Sequence, residues 1–319
     1  MITIGTDCSG IEAPIEALKQ LGIPFQHKWA CEIDKFARQS ILANYEPEIL
    51  FEDITKRDHS QLPDVDMYVC GFPCQSFSLM GKKKGSQDPR SNIMLHCIDV
   101  IKTKLPNLFV LENVKNFKFI EKGNPFNFLI DSLTNIKDES ENCIYNVYHD
   151  ILNTKDYGIP QNRQRIFIIG IKKDIQLDEY KTPEKVPMKN LEDFILDKTK
   201  NLSFKISQSL QKNLEIIVDK SNNEMKYKNN YIVTPFKYSS SIHNMSPTLT
   251  TRCDVFYHTT YNRYLTTKEC LLLQGFGKDF KQIVSNNQTF KQVGNSMSVN
   301  VLKHVINNLI KSTIFKLIL

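Results

Sequence analysis

The first 172 residues alternate short apolar runs with longer segments whose apolar residues recur at helical spacing. This rhythm is typical of parallel βαβ units, so it predicts a doubly wound α/β sheet. The strands are predicted at MITIGT, FQHKWACEID, VDMYVCG, NLFVLENV and RIFIIGIKK, with another short strand just before FEDI. The helices are predicted at EAPIEALKQLG, which should stop at Gly22, and at KFARQSILANY and SNIMLHCIDVIKTKL.

The pattern changes near residue 172. From about 174 to 244 the chain is rich in Lys, Asn and Ser and has no clear periodicity, which predicts a second, less regular domain or an insertion. Helical order returns between Tyr261 and Phe280, and FKQVGNSMSVNVLKHVINNLI predicts a turn followed by an amphipathic helix. We therefore expect three segments, 1–171, 172–276 and 277–319, of which the last returns to the first domain.

Composition narrows the class of protein. A hydrophobic content of 41% and a charged content of 24% are those of a soluble globular protein. No run approaches the roughly 18 apolar residues of a membrane span, and MITIGTDCSG lacks the features of a signal peptide, so we expect an intracellular, soluble protein. The eight cysteines are scattered rather than placed in close pairs, which argues against a metal site. The net charge of +6 is compatible with a nucleic-acid partner but does not demonstrate one.

Polar residues follow the first three predicted strands. In doubly wound sheets ligands bind at the carboxyl ends of the strands. The first strand leads into a turn that contains Gly10, the second ends at Glu32, and Asp53 follows the third. Glu32 has the spacing of an acid that binds ribose hydroxyls, and Asp53 could accept from an adenine amino group. Each carboxylate alone is more often a solvated surface charge, but three strand-end features in this order favour a nucleoside cofactor.

The fourth and fifth predicted strands end beside a thiol and a carboxyl group. Cys74 follows Pro73 and precedes a loop with three lysines, and Glu112 lies in LENV. A buried structural cysteine is the common alternative. A thiolate near positive charge is a strong nucleophile, however, and a carboxyl at the next strand end suggests covalent catalysis with acid assistance.

Five blocks in this order resemble the DNA (cytosine-5)-methyltransferases: GFPCQSFS, LENV, QNRQR, YLTTKECLLLQGF and KQVGNSMSVNV. The resemblance covers nearly the whole chain except residues 174–244. It implies a Rossmann-like class I S-adenosylmethionine-dependent methyltransferase sheet with a smaller target-recognition domain. Segment 1–171 would then be the catalytic and cofactor-binding domain, and 172–276 the target-recognition region.

The resemblance implies a covalent mechanism. Cys74 would add to carbon 6 of a cytosine flipped out of double-stranded DNA, and Glu112 would hold the N3 side and amino group of the ring. Arg163 and Arg165, which share a face of the strand because side chains alternate, would support Glu112 and the base or its phosphate. A loop closing over the base, with its lysines on phosphates, and two threonines near the backbone of the base would complete the DNA contacts. These expected DNA-binding residues are Gln75, Ser76, Lys82, Lys83, Lys84, Arg90, Thr248 and Thr250.

S-adenosyl-L-methionine is the cofactor that the resemblance implies. The expected binding residues are Cys8, Ser9, Gly10, Ile11, Glu32, Ile33, Asp53, Ile54, Pro73, Asn295 and Ser296. The first block departs from the usual glycine-rich pattern, because Glu12 and Ala13 replace glycines. This resembles a variant of phage-type members, so we expect binding to persist.

The expected partner is double-stranded DNA, and the enzyme acts either alone or paired with a cognate restriction endonuclease; we expect the protein itself to be a monomer. A tRNA-methylating branch of the same family is the close alternative, which lacks support because its Cys-Phe-Thr block is not found. A non-catalytic nucleic-acid-binding relative is disfavoured by the presence of Cys74, Glu112, Arg163 and Arg165. A flavin or nicotinamide enzyme is disfavoured because the G-x-G-x-x-G fingerprint is missing.

Overall fold

The structure, a computed structural model, describes residues 1–73, 93–201, 203–220, 230–236 and 242–317. The chain divides into two compact units. The first unit comprises residues 1–152, 164–184 and 302–319, and the second unit comprises 153–163 and 185–301.

The first unit contains a seven-stranded sheet with strand order β3-β2-β1-β4-β5-β8-β6. The strands are β1 Ile2–Asp7, β2 Phe25–Cys31, β3 Ile49–Phe51, β4 Met67–Cys70, β5 Leu108–Val114, β6 Tyr145–Asn153 and β8 Gln164–Lys172. Strands β1 to β5 pair in parallel, and helices connect most of them. The predicted α/β fold with a mostly parallel sheet is therefore confirmed.

The helices of the first unit begin and end at local signals in the sequence. They are α1 Ala13–Leu21, α2 Lys35–Asn44, α3 Ile93–Lys104 and α4 Asn124–Thr134. Helix α1 ends at Gly22, as predicted, because Gly22 adopts a left-handed conformation (φ 69°) and its amide donates to the carbonyl of Lys19. The Asp34 carboxylate caps α2 by accepting from the amides of Phe36 and Ala37.

Two features of the sheet differ from the alternating βαβ pattern. Strand β8 pairs with β5 in the antiparallel direction, and the long strand β6 and helix α4 were not anticipated from the sequence. The run from Ile166 to Ile171 is buried on both faces, and such a run reads the same in either direction. The hydrophobic pattern therefore predicts that β8 is a central strand but cannot predict its direction.

One large apolar cluster stabilises the first unit. It joins side chains of the sheet, including Trp29, Tyr68, Phe109 and Leu111, to apolar residues of α3 and α4. Phe109 contacts Tyr145 edge to face, with ring centroids 5.1 Å apart. This burial holds the carboxyl ends of β1, β2, β4 and β5 in fixed positions.

The second unit has little regular structure. Its strands are only two residues long: β7 Gln161–Asn162, β9 Ile232–Val233, β10 Ser246–Pro247, β11 Tyr257–His258 and β12 Arg263–Tyr264. Its helices are α5 Gln208–Lys220, α6 Thr267–Leu273 and α7 Asn286–Asn295, and α8 Val299–Lys311 begins here and continues into the first unit.

The boundaries between the two units differ from the segment boundaries predicted at 172 and 277. Residues 173–184 belong to the first unit because Gln176 bridges to Thr313 and the Asp178 carboxylate pairs with Lys316 at 2.7 Å. Residues 153–163 belong to the second unit, where Gln161 pairs with Ser246. Both differences depend on contacts between distant parts of the chain, which hydrophobic periodicity does not encode.

Within the described parts of the chain, no helix has the length and apolar character needed to cross a membrane.

Candidate active site

Glu112 and Arg165 form an ion pair between two interior strands of the sheet, near the carboxyl end of β5. Glu112 lies near the end of β5, and its side chain is almost completely buried. In the antiparallel register Arg165 lies opposite Val114, so it is the diagonal neighbour of Glu112 on the same face. The Arg165 Nε and the Glu112 Oε1 are 3.2 Å apart. The structure therefore brings together these two predicted catalytic residues.

The segment that leads to Cys74 is fixed by the residue next to Glu112. The Asn113 side-chain amide donates to the carbonyl of Phe72 at 3.0 Å, and the Phe72 ring packs edge to face on Phe117. Phe72 is two residues from Cys74, so this bond aligns the end of β4 with the end of β5. Cys74 itself lies outside the described residues, as do the predicted DNA-binding residues Gln75, Ser76, Lys82, Lys83, Lys84 and Arg90.

The loop after β1 is built from unusual backbone conformations. Cys8, Gly10 and Glu12 have φ values of 48°, 56° and 61°, which fold the chain tightly between β1 and α1. Ser9 is buried and exchanges hydrogen bonds with the backbone of Cys31 at the end of β2. Ile11 is fully buried beneath the loop. The predicted residues Cys8 to Ile11 thus form one rigid turn against β2.

Glu32 lies beside this loop, at the end of β2. Its carboxylate accepts from the amide of Gly10 at 2.8 Å and from the amide of Asp34 at 2.9 Å. Burial raises the pKa of Glu32, an effect that these two amides oppose. Next to it the side chain of Ile33 is 74% exposed, which is unusual for a large apolar residue at a strand end.

Asp53 and Ile54 follow β3, the neighbour of β2. The Asp53 carboxylate accepts from the amide and hydroxyl of Thr55. Desolvation alone would raise the pKa of Asp53, but these hydrogen bonds outweigh it and the net pKa is lowered. Ile54 is buried, whereas Pro73, after β4, is exposed.

These residues fit S-adenosylmethionine. β1, β2 and β3 are adjacent and parallel, so the Gly10 loop, Glu32 and Asp53 lie along one edge of the sheet. A Cβ at Gly10 would have no atom within 4 Å, so the loop faces open space there. Two carboxylates and an exposed isoleucine along such an edge suit the hydroxyls, amino group and flat ring of an adenosine.

Arg163 lies in the second unit, and its contacts differ from those of Arg165. It is 2% exposed, and its guanidinium donates to the carbonyls of Leu249 (2.8 Å), Gly294 (3.2 Å) and Ser296 (2.7 Å). Arg163 therefore fixes three backbone segments of the second unit. The sequence-based expectation that it also supports Glu112 stays a prediction.

The second unit also holds the remaining predicted residues. Ser296 is buried and follows the end of α7, and its carbonyl accepts from Arg163. Asn295 is the last residue of α7 and is exposed. The predicted turn at GNS is thus a helix end. The Thr248 hydroxyl donates to the carbonyl of Asn162 at 2.6 Å, and Thr250 is exposed.

Sequence reasoning missed three residues that shape these sites. They are the buried polar residues Asn113, Gln161 and Glu12. Asn113 donates to the carbonyl of Phe72, which precedes Pro73, and Glu12 accepts from Thr6, which precedes the Cys8–Ile11 turn. Gln161 accepts from the Leu249 amide and donates to the carbonyl of Leu273. Asn113 and Gln161 lie within the blocks LENV and QNRQR, which was the available signal. Within the described residues, no group of three metal-ligating side chains is present.

The chain is similar to known proteins over most of its length. A family model described as C-5 cytosine-specific DNA methylase matches residues 6–311. The chain is 32% identical to the Type II methyltransferase M.SsoII of Shigella sonnei, over 98% of this chain and 80% of that protein. It is 29% identical to the Type II methyltransferase M.Bsp6I of a Bacillus strain, over 98% of this chain and 99% of that protein.

Phage proteins and solved structures are also similar. The orphan methyltransferase M.Rho11sI of Bacillus phage rho11s is 39% identical over 54% of this chain and 33% of that protein. A DNA modification methyltransferase encoded within an E. coli prophage has a TM-score of 0.70 at 20% identity, covering 98% of this chain and 99% of that one. The S. pombe Dnmt2 methyltransferase has a TM-score of 0.69 at 18% identity, with the same coverage. The two solved structures support the fold.

Proposed function

The chain belongs to the C-5 cytosine-specific DNA methylase family, and from that premise we propose the roles that its residues play in the family's reaction. The protein is a DNA (cytosine-5-)-methyltransferase that uses S-adenosyl-L-methionine. When bound, S-adenosylmethionine supplies an electrophilic methyl group. The expected membership of the family is thereby confirmed, and orphan methyltransferases of phages are among the relatives.

The catalytic roles rest on the buried ion pair between Glu112 and Arg165. Carbon 5 of cytosine is a weak nucleophile, and addition of the Cys74 thiolate to carbon 6 makes it enamine-like. Glu112 holds N3 and the amino group of the ring as charge shifts during this addition. Arg165, 3.2 Å from Glu112, fixes the orientation of the carboxyl group. After carbon 5 has been methylated, loss of its proton expels the thiolate of Cys74.

Asn113 and Arg163 act as positioning residues. Asn113 holds the carbonyl of Phe72 and so sets the path of the chain into Cys74. Arg163 holds the Leu249 carbonyl, which lies between Thr248 and Thr250, and the Ser296 carbonyl beside Asn295. Through these bonds it orders two loops that are expected to approach the substrates.

The substrate is a base in duplex DNA, which must leave the stack to reach a thiol. Gln75, Ser76 and Arg90 belong to the loop that closes over the flipped base, and Lys82, Lys83 and Lys84 contact phosphates. The second unit reads the DNA sequence. Several relatives are Type II methyltransferases and others are orphans. We expect this chain to act with a cognate restriction endonuclease or alone, as an intracellular monomer.

The experiment is methylation of unmethylated plasmid DNA and of tRNA with methyl-labelled S-adenosylmethionine, followed by bisulfite mapping. Wild type should label carbon 5 of cytosine in one sequence context of the DNA. Cys74→Ser and Glu112→Gln should lose at least a hundredfold in kcat, while Cys143→Ser, a control at a half-buried cysteine outside the site, should match wild type. Equal activity of Cys74→Ser and wild type would overturn the mechanism. Label only on tRNA would overturn the DNA substrate.

A further inference from the structure

Glu12 occupies a backbone conformation that glycine adopts more easily. Its φ of 61° and ψ of 49° are left-handed, and the conformation costs a residue with a side chain roughly 1 kcal/mol. Glu12 precedes α1, yet its side chain makes no capping bond to the helix. The chain keeps a glutamate where its backbone disfavours one, so the carboxyl group itself must contribute something.

The Glu12 side chain is completely buried among polar groups beneath the Gly10 loop. The Thr6 hydroxyl donates to Glu12 Oε1 at 2.7 Å and lies 2.8 Å from the Ser9 hydroxyl, and His27 Nε2 is 3.5 Å from the same Oε1. Ser9 in turn bonds to the backbone of Cys31. A continuous chain of hydrogen bonds thus runs from Glu12 to the end of β2, directly before Glu32.

The charges that face Glu12 disfavour its ionised form. Asp7 of β1 and Glu32 after β2 are both acidic, Asp7 being held by Arg57 in a bidentate pair, and Glu16 of α1 bonds to Tyr45. Burial, together with the charges of Glu32 and Asp7, raises the pKa of Glu12 to about 8, against the hydroxyls of Thr6 and Ser9. Burial lowers the pKa of His27 to about 4, so it supplies no counter-charge.

We propose that Glu12 is a positioning residue for S-adenosylmethionine, whose uncharged carboxyl group locks the Cys8–Glu12 turn onto β2 and so presents Gly10 and Glu32 in binding geometry. Glu12 Oε2 has no hydrogen-bond partner among the described residues, so the Thr6 and Ser9 hydroxyls offset the burial of a carboxylate there only in part. Ionisation of Glu12 therefore loosens the turn and weakens cofactor binding. The inference rests on the cofactor lying at this loop, as in the proposed function.

The test is the affinity for S-adenosylhomocysteine, measured by calorimetry from pH 6.5 to 9.5 without DNA. The Kd of wild type should rise at least fivefold more between pH 7 and 9 than the Kd of Glu12→Gln, which keeps the shape and cannot ionise. Titration of the ligand's own amino group affects the Kd of both proteins equally, so it cancels when wild type is compared with Glu12→Gln. Glu16→Gln, a buried glutamate one turn along α1, is the matched control and should follow wild type.

Glu12→Gly keeps the backbone conformation without the carboxyl group, and it should bind more weakly than wild type at pH 7. In methylation assays the effect should fall on the KM for S-adenosylmethionine, with kcat changing less than twofold. A wild-type affinity that is flat with pH, or a Gln variant with the wild-type profile, would overturn the inference. Protein that binds as expected but methylates neither DNA nor tRNA would overturn the proposed function and leave this inference standing.

Discussion

The two units are stabilised in different ways. The first unit has a seven-stranded sheet covered by one large apolar cluster, and its order follows from hydrophobic burial. The second unit has strands of two residues; it also buries apolar side chains such as Leu249, Phe256 and Val293, and buried polar side chains bond its segments to one another. The comparison teaches that a hydrophobic pattern is enough to predict the elements of the first unit, whereas the path of the second unit also depends on individual polar side chains.

Two arginines separated by one residue give the sharpest test of this difference. Arg163→Met should lower the free energy of unfolding of the second unit by about 4 kcal/mol, because three buried carbonyls lose a charged donor. Arg165→Met should cost less, about 2 kcal/mol, because it leaves the buried carboxyl group of Glu112 without this ion-pair partner, and it should also abolish most activity.

Regional hydrogen exchange separates the two outcomes. Arg163→Met should raise exchange in 242–301, while fluorescence of Trp29, the single tryptophan, follows the core of the first unit. Equal losses of stability in the two variants would remove the distinction between the units.

Glycine substitutions should give the next largest effect. A Cβ on Gly294 would overlap the backbone carbonyl group of Thr250, so Gly294→Ala should cost about 3 kcal/mol. Gly22, at the end of α1, has a φ of 69° and open space around it, so Gly22→Ala should cost only about 1 kcal/mol. Urea unfolding measures both, and a Gly22 variant as unstable as the Gly294 variant would contradict the proposed role of close packing in the second unit.

What the sequence could predict follows the same division. The strands β1, β2, β4, β5 and β8 were predicted because their apolar runs pack in the core of the sheet, and Glu112 was found because it ends such a run. The buried bonds of Arg163 were not predictable, because its partners Leu249 and Gly294 are far away in sequence and are backbone carbonyls. The conformation of Glu12 was also missed, since a glutamate in a loop ordinarily predicts exposure.

Asn113 provides a smaller test, within the first unit. Asn113→Ala removes a buried hydrogen bond to the Phe72 carbonyl and should cost about 2 kcal/mol. It should also lower kcat about tenfold, because the path into Cys74 becomes less defined. Asn146→Ala, which removes a partly exposed bond to Gln176, is the control and should leave kcat unchanged. Loss of stability without loss of kcat would limit Asn113 to a structural role.

The response of the free energy of unfolding to pH should distinguish the units by the smallest effect, at most about 1.4 kcal/mol per pH unit for each titrating group. Each unit buries a histidine, His27 or His258, whose pKa burial lowers to about 4, so both lose stability as the pH falls from about 6.5. Their carboxyl groups differ. Burial raises the pKa of Glu269 in the second unit, but the bidentate Arg263 more than offsets this and its net pKa is lowered, which adds stability above the ordinary pKa that is lost in acid.

Glu12 in the first unit has the opposite sign. Its pKa is raised to about 8, so the stability it contributes is complete below the ordinary value near 4.5 and is lost as the pH rises to 8. Between pH 6 and 8, Trp29 fluorescence should therefore report a loss of stability that exchange in 242–301 does not. Glu12→Gln should abolish that loss, and a wild-type first unit that is equally stable at pH 6 and 8 would show that the carboxyl group is ionised throughout. In that case the Kd for S-adenosylhomocysteine should not rise between pH 7 and 9 either, because both effects depend on ionisation of the same carboxyl group.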